Sequence, residues 1–266
     1  MTDTDTIATP TAVHARAAYP IRRILVLIAA FAAPLIGYGQ MAMGVGMSPA
    51  EFSAQGDATV RVAPFAFTIW AVIYTWIAVY AVYQALPATT ENESLRRLGW
   101  PSFFAFAGIG AWVVASAADW DWASVLIIFA SLLSLLLPLV QNAKLVWSDS
   151  IRRRALIAWP LALLAGWLTI ASIVNLLTVL TSQGMISEEA GPLWALGAIG
   201  LAALVALFVT ARTRLWIYPV PIAWGLIGVF FAGRTDGENL QAFAALGAAV
   251  VIVIGATLIL SRKRSG

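Results

Sequence analysis

Three stripes of aromatic residues carry the groups that could do chemistry in this sequence. In the apolar run from Trp159 to Asn175, Trp167, Ala171 and Asn175 recur at i, i+4 and i+8, so they share one helix face. Phe67, Trp70 and Tyr74 share another at i, i+3 and i+7, and Trp112, Ser116 and Asp119 a third. An indole, a small residue and an amide on one stripe form a wall that can face a flat ligand. The ring stacks, the small residue leaves room, and the amide hydrogen-bonds. The same stripe can equally be a packing seam, because small and amide residues join helices inside membranes. Spacing alone leaves both open.

Other chemistries lack their residues. The chain has no cysteine and one histidine, His14, close to its start. Disulfides and thiolate metal sites are excluded, and so is a haem held by an axial histidine within the bundle. No Asp, Glu, Lys or Arg falls in the middle of an apolar run, so an ion-coupled pump lacks its usual intramembrane group. No Walker motif, HExxH or Ser-His-Asp set is present. Asp119 and Asp121 are read as decorating a solvated turn, with lipid chemistry on them as the enzymatic alternative.

The elements that position these stripes follow from composition. The chain is 61% hydrophobic and 11% charged over 266 residues, more apolar than a soluble domain can hide. The fold class is all-α, a polytopic membrane bundle of eight transmembrane helices. Residues 1–21 read as a disordered cytoplasmic tail. Helix one runs from Ile24 to about Gly44, with Pro34 and Gly37 as a kink. It is too long for the apolar core of a signal peptide. A polar loop, 45–63, precedes helix two at 64–86, whose first residue is Pro64. Helix three is roughly 100–118, helix four 122–146 and helix five 155–182. Helices six, seven and eight follow at about 192–211, 215–233 and 239–261, each near the ~20 residues a bilayer requires. Residues 262–266 form a basic tail. No internal repeat is evident, which argues against an inverted-repeat transporter.

Charge sets the orientation. With the N-terminus inside, all 16 basic residues except Arg61 and Arg234 fall on the cytoplasmic side, so both termini are expected there. Basic residues in short loops signal membrane orientation, and nucleic acid is not an expected partner. Of the tryptophans, Trp100, Trp120, Trp122, Trp147, Trp159, Trp194 and Trp216 sit near span ends, as an interfacial belt does. Trp70, Trp76, Trp112, Trp167 and Trp224 lie deeper, where a buried indole N–H needs a partner. Trp224, between Pro219, Pro221, Gly225 and Gly228, is read as packing, with a second site at a broken helix as the alternative.

The segment Pro64-Phe65-Ala66-Phe67-Thr68-Ile69-Trp70-Ala71-Val72-Ile73-Tyr74 resembles the helix-two signature of the tryptophan-rich sensory protein / translocator protein family (TspO/MBR, peripheral benzodiazepine receptor-like). The helix-five run Trp159-Pro160, Gly166-Trp167, Ala171, Asn175 is similar to its W-x-x-x-A-x-x-x-N pattern. Trp112 falls at its helix-three tryptophan, and Arg152–Arg154 at its basic loop. The family's helix-three asparagine is absent, with Gly108, Gly110 and Ala111 there, and the P-P-x-W start of helix two is reduced to Pro64-Phe65. The resemblance covers about residues 22–182, a five-helix bundle, and residues 183–261 are a three-helix extension of the kind some longer bacterial relatives have.

The resemblance implies a pocket near one membrane face, lidded by residues 45–63 and lined by Phe67, Trp70, Tyr74, Trp112, Trp167, Ala171 and Asn175. Asn175 is the expected hydrogen-bonding anchor and the tryptophans the stacking walls. It implies a porphyrin-like or other flat hydrophobic ligand, porphyrin or haem bound without histidine ligation, and no required cofactor. The expected partners are that ligand and the lipid bilayer of a bacterial plasma membrane, and a homodimer is allowed. The alternatives are transport of another lipophilic solute without ion coupling, or tryptophan-assisted porphyrin degradation.

Overall fold

The computed structural model describes residues 10–56 and 59–262, with side chains from residue 21 onward. Eleven α-helices lie among the described residues. Eight are long: α1 (Pro10–Met43), α3 (Ile69–Ala85), α4 (Glu93–Ala117), α5 (Asp121–Gln141), α8 (Ala158–Ser182), α9 (Gly191–Thr213), α10 (Pro219–Asp236) and α11 (Asn239–Ser261). Three are single short turns of helix: α2 (Pro49–Ala54), α6 (Ala143–Ser148) and α7 (Ile151–Leu156). The fold is an all-α polytopic membrane bundle.

Helix ends move from their expected places for local reasons. Residues 10–21, expected in a disordered tail, continue α1 upstream; the run is rich in alanine, the strongest helix former. Residues 1–9 and 263–266 lie outside the described residues. α4 starts at Glu93, not near residue 100, because Asn92 caps it by accepting the Leu95 N–H at 2.9 Å. Expected helix four ends at Gln141, where Asn142 turns its side-chain amide back onto the Pro138 carbonyl at 2.8 Å. Expected helix five is broken at Ile157 into α7 and α8. Pro160 has no N–H to give and its ring crowds the carbonyl four residues earlier.

α8 is the axle of the bundle. It is apolar all round, and such a helix belongs inside. In its apolar window 78% is buried, against 22% for α11 at the periphery. α5 and α10 pack against it on separate flanks, with α3 and α9 adding smaller contacts. α10 comes closest at Gly166, where an added Cβ would stand 2.1 Å from the Tyr218 carbonyl oxygen. Beside it the Thr169 and Tyr218 hydroxyls share a buried hydrogen bond of 2.7 Å.

Among the described residues, seven helices are long and apolar enough to cross a bilayer. The one left out of the expected eight is α10, which has 18 residues and carries Arg234 and Asp236 in its last turn. Connectivity nevertheless takes it across. Arg214, just past α9, donates to the carbonyls of Leu260 and Arg262 at the end of α11, at 3.0 and 2.5 Å. The C-terminal ends of α9 and α11 are therefore neighbours, and α10 must travel the bundle's height between them. Its 18 residues reach about 27 Å at 1.5 Å per residue.

The loop ends also sort into two sets. Arg23 donates to Thr89, Ser94 to Asp149 and Trp147 to the Thr213 carbonyl at one end. Thr59 pairs with Thr181, Gln183 with Asp121 and Arg61 with Asp236 at the other. This is the alternation that eight crossings require.

Close packing at Gly166 gives the first expected outcome. Gly166→Ala forces α8 and α10 apart and costs about 1–3 kcal/mol. Gly197→Ala, inside α9 where nothing lies within 4 Å of an added Cβ, costs nothing and gains about 0.5–1 kcal/mol from the better helix former. Melting temperatures in detergent compare the two, and equal shifts would contradict the packing.

Candidate functional site

A 3-10 turn, Pro64–Thr68, leads into α3 and swings Phe67 inward ahead of Trp70 and Tyr74. Trp70 and Tyr74 stack, with ring centroids 5.1 Å apart and planes 23° apart. Tyr38 of α1 meets Tyr74 edge-on at 5.8 Å. Trp70 and Phe67 each meet Trp167 of α8 edge-on, at 6.0 and 6.1 Å. Opposite them Trp112 of α4 is met edge-on by Phe52 of α2 at 6.2 Å. Edge-to-face contacts align a positive ring edge with a negative face, so each ring's neighbours fix its tilt.

These rings enclose two adjoining cavities. The outer one holds about 440 Å³, between Tyr38 and Met41 of α1, the lid at Pro49, and Phe67, Trp70, Tyr74 and Trp112. That volume lies within the ~300–1,000 Å³ typical of small-molecule sites. The inner one holds only about 40 Å³ and is lined by Phe67, Trp70, Trp112, Trp167, Ala171 and Asn175, with Ser53, Thr178 and Gly225 behind them. No charged residue lines either cavity. All seven residues singled out by spacing and resemblance thus face this pair of chambers. Tyr74 faces the outer one; Trp167, Ala171 and Asn175 face the inner one; and Phe67, Trp70 and Trp112 are shared.

Asn175 also has partners within the protein. Its Oδ1 accepts the Trp112 indole N–H at 2.8 Å, and its Nδ2 donates to Ser124 Oγ at 3.0 Å. Ser124 in turn donates to the Asp121 carbonyl at 2.7 Å. The amide joins α4, α5 and α8, and its second N–H remains available beside the inner cavity that Asn175 lines. Trp112 finds on α8 the amide partner that helix three itself lacks. The other deep indoles differ from one another. Trp76 donates to the Ala155 carbonyl at 3.0 Å and Trp224 to the Ala66 carbonyl at 2.9 Å, while Trp167 Nε1 is buried without a partner among the described residues.

The lid contains structure that a polar loop does not advertise. α2 opens with a capping box in which Ser48 and Glu51 exchange side-chain bonds to backbone N–H groups. The Ser48 N–H on its carboxylate holds Glu51 below the ordinary carboxyl range. Gly46, at φ 66°, lets the chain pass the end of α4, where a Cβ would stand 2.1 Å from the Ala117 carbonyl oxygen. Phe52 is 2% exposed and plugs the chamber from above. Beyond α2, the Ala63 N–H donates to the Gly228 carbonyl at 3.1 Å, so α10 holds the strand that enters the 3-10 turn.

Sequence reasoning missed Phe52, Ser53, Thr178, Ser124 and Tyr38. Thr178 had a signal, since it lies three residues past Asn175 on the same face of α8. The others depend on how a loop or a neighbouring helix docks. Asp119 is exposed, with φ 59° in the turn between α4 and α5. Asp121 accepts from Gln183 Nε2 at 2.6 Å and staples two loops together.

A bundle of membrane-spanning helices around a charge-free aromatic chamber, roofed by the loop between its first two spans, defines a multi-pass membrane protein with an internal apolar pocket. Comparison with family models matches residues 23–258 to the TSPO-like protein family, and the chain belongs to that family. The match runs past α10 and into α11, so it takes in the three helices beyond the five-helix bundle. No curated protein and no solved structure matches the chain.

Asn175→Ala strands the Trp112 N–H and uncouples Ser124. The expected loss is about 1–3 kcal/mol, read as a lowered melting temperature with an altered tryptophan emission maximum. Unchanged stability and emission would show that the amide joins nothing.

Proposed function

We propose that this TSPO-like protein binds a flat, largely apolar small molecule of the porphyrin class in its outer cavity. The single observation that carries this reading is a charge-free chamber of about 440 Å³ walled by the Trp70–Tyr74 stack and Trp112. Indole and phenol rings present broad faces to a planar ligand at little entropic cost, since their neighbours already hold their tilt. A porphyrin seated there takes no axial ligand from histidine, because His14 is the only one in the chain. Its acidic substituents point toward the lid and water, since neither cavity offers a cation. No charged group lines the chamber to couple any passage of the ligand to ions.

The expected result is quenching of tryptophan fluorescence by protoporphyrin IX in the full chain, saturable and weakened at least about tenfold in Trp70→Ala, a hot-spot-sized loss for a stacking wall. Absence of saturable quenching, or quenching unaltered in the variant, would defeat the assignment.

The lid over the chamber lies at the end that carries Asp121 and Asp236, and the distribution of basic loops supports placing that end outside a plasma membrane with both termini in the cytoplasm. The natural lack of cysteine makes this readable. Glu188→Cys should react with an impermeant maleimide added to sealed cells, and Arg97→Cys only after lysis. The reverse pattern would invert the topology.

A further inference from the structure

The inner cavity contains polar atoms for which the aromatic wall gives no reason. Ser53 Oγ, Thr178 Oγ1 and Trp167 Nε1 have no hydrogen-bond partner among the described residues, and all three residues line this one chamber. They are 5%, 0% and 3% exposed. Trp112 with Asn175 and Thr169 with Tyr218 are paired, and other unpaired buried atoms, such as Ser172 Oγ and Gln84 Oε1, belong to residues that line neither cavity. Leaving buried donors and acceptors unmade is costly, so three around one space mark a place that is filled.

Size and charge limit what fills it. About 40 Å³ admits one or two waters, or one oxygen-bearing substituent in their place. Two hydroxyls and an indole N–H offer donors with some accepting capacity. No cation lines the chamber, so a carboxylate seated there would be a buried, unpaired anion. Pro49, Phe67, Trp70 and Trp112 line both cavities, which places the small chamber directly beside the large one.

We propose that the inner cavity is a seat for one neutral hydroxyl or carbonyl group of a ligand whose flat apolar body lies in the outer cavity, with Thr178, Ser53 and Trp167 as its hydrogen-bond partners. The proposal rests on the outer cavity being a site for flat apolar molecules. It makes the protein selective among them: a neutral oxygen substituent strengthens binding and an ionised one weakens it.

Pyrene, 1-pyrenemethanol and 1-pyrenecarboxylate test this, because they share one flat body and differ at one position. Energy transfer from tryptophan to pyrene in the full chain in detergent at pH 7 gives each Kd, corrected for partition into protein-free micelles. The expected order is 1-pyrenemethanol tighter than pyrene by about 2- to 10-fold, the net worth of one hydrogen bond, with 1-pyrenecarboxylate weakest. In Thr178→Val the ratio of Kd values for pyrene and 1-pyrenemethanol falls toward one, and in Ser53→Ala it falls too. Ser53 lies in the lid, so that variant decides the matter should Thr178→Val fail to fold. Equal affinities for pyrene and 1-pyrenemethanol, or a ratio unmoved in Ser53→Ala and in a folded Thr178→Val, would overturn the inner seat alone. Saturable binding of none of the three would overturn the reading of the outer cavity and the seat with it.

Discussion

Within a bilayer a polar side chain has no water to fall back on, so each must find a partner in the protein or stand unpaired. The bond from Trp112 to Asn175, continued to Ser124, is where three helices meet that requirement together. It fixes the rotation of α4, α5 and α8 about their axes at one depth. Once those rotations are set, Trp112 faces Trp70 across the chamber and Trp167 turns its ring toward Phe67 and Trp70. The position of the aromatic wall follows from a hydrogen-bonded chain that runs through one of its own rings, Trp112.

The helices beyond residue 182 take part in the same construction. α10 presses on α8 at Gly166 and supplies Gly225 to the inner cavity. It reaches the first half of the bundle through three contacts of different kinds. Gly228 accepts from the Ala63 backbone, Trp224 donates to the Ala66 carbonyl, and Asp236 pairs with Arg61 at 2.8 Å. All three grip the segment that leads from the lid to Phe67. The contacts therefore cross the boundary expected between residues 182 and 183, and the pocket draws on both sides of it.

The two cavities differ in a way that bears on function. The larger is a space between rings, and its walls are held by edge-to-face contacts and by the lid. The smaller is also mostly apolar, with Ser53, Asn175 and Thr178 set among its aromatic and aliphatic walls. A family pattern that names tryptophans and an asparagine does not distinguish these roles. Here the asparagine joins three helices, and among the described residues that line the inner cavity the polar atoms without a hydrogen-bond partner lie on Thr178, Ser53 and Trp167.

The sequence by itself determined the bundle, its alternation and the set of residues that meet. Long apolar runs can only be helices in lipid, because every backbone group must be satisfied within its own segment. Stripes at i, i+4 and i+8 define a face wherever the helix is placed, which is why Trp167, Ala171 and Asn175 emerged together. Helix ends at Asn92, Asn142 and Ile157 were less legible, since caps and proline breaks act over a single turn. The tertiary structure alone decided what each face meets. Asn175 could have faced a ligand or a neighbouring helix with the same spacing, and only the approach of α4 and α5 gave its amide to Trp112 and Ser124. The docking of α2 above the chamber and of α10 behind it was likewise hidden, because contacts across more than a hundred residues leave no periodic trace in the chain.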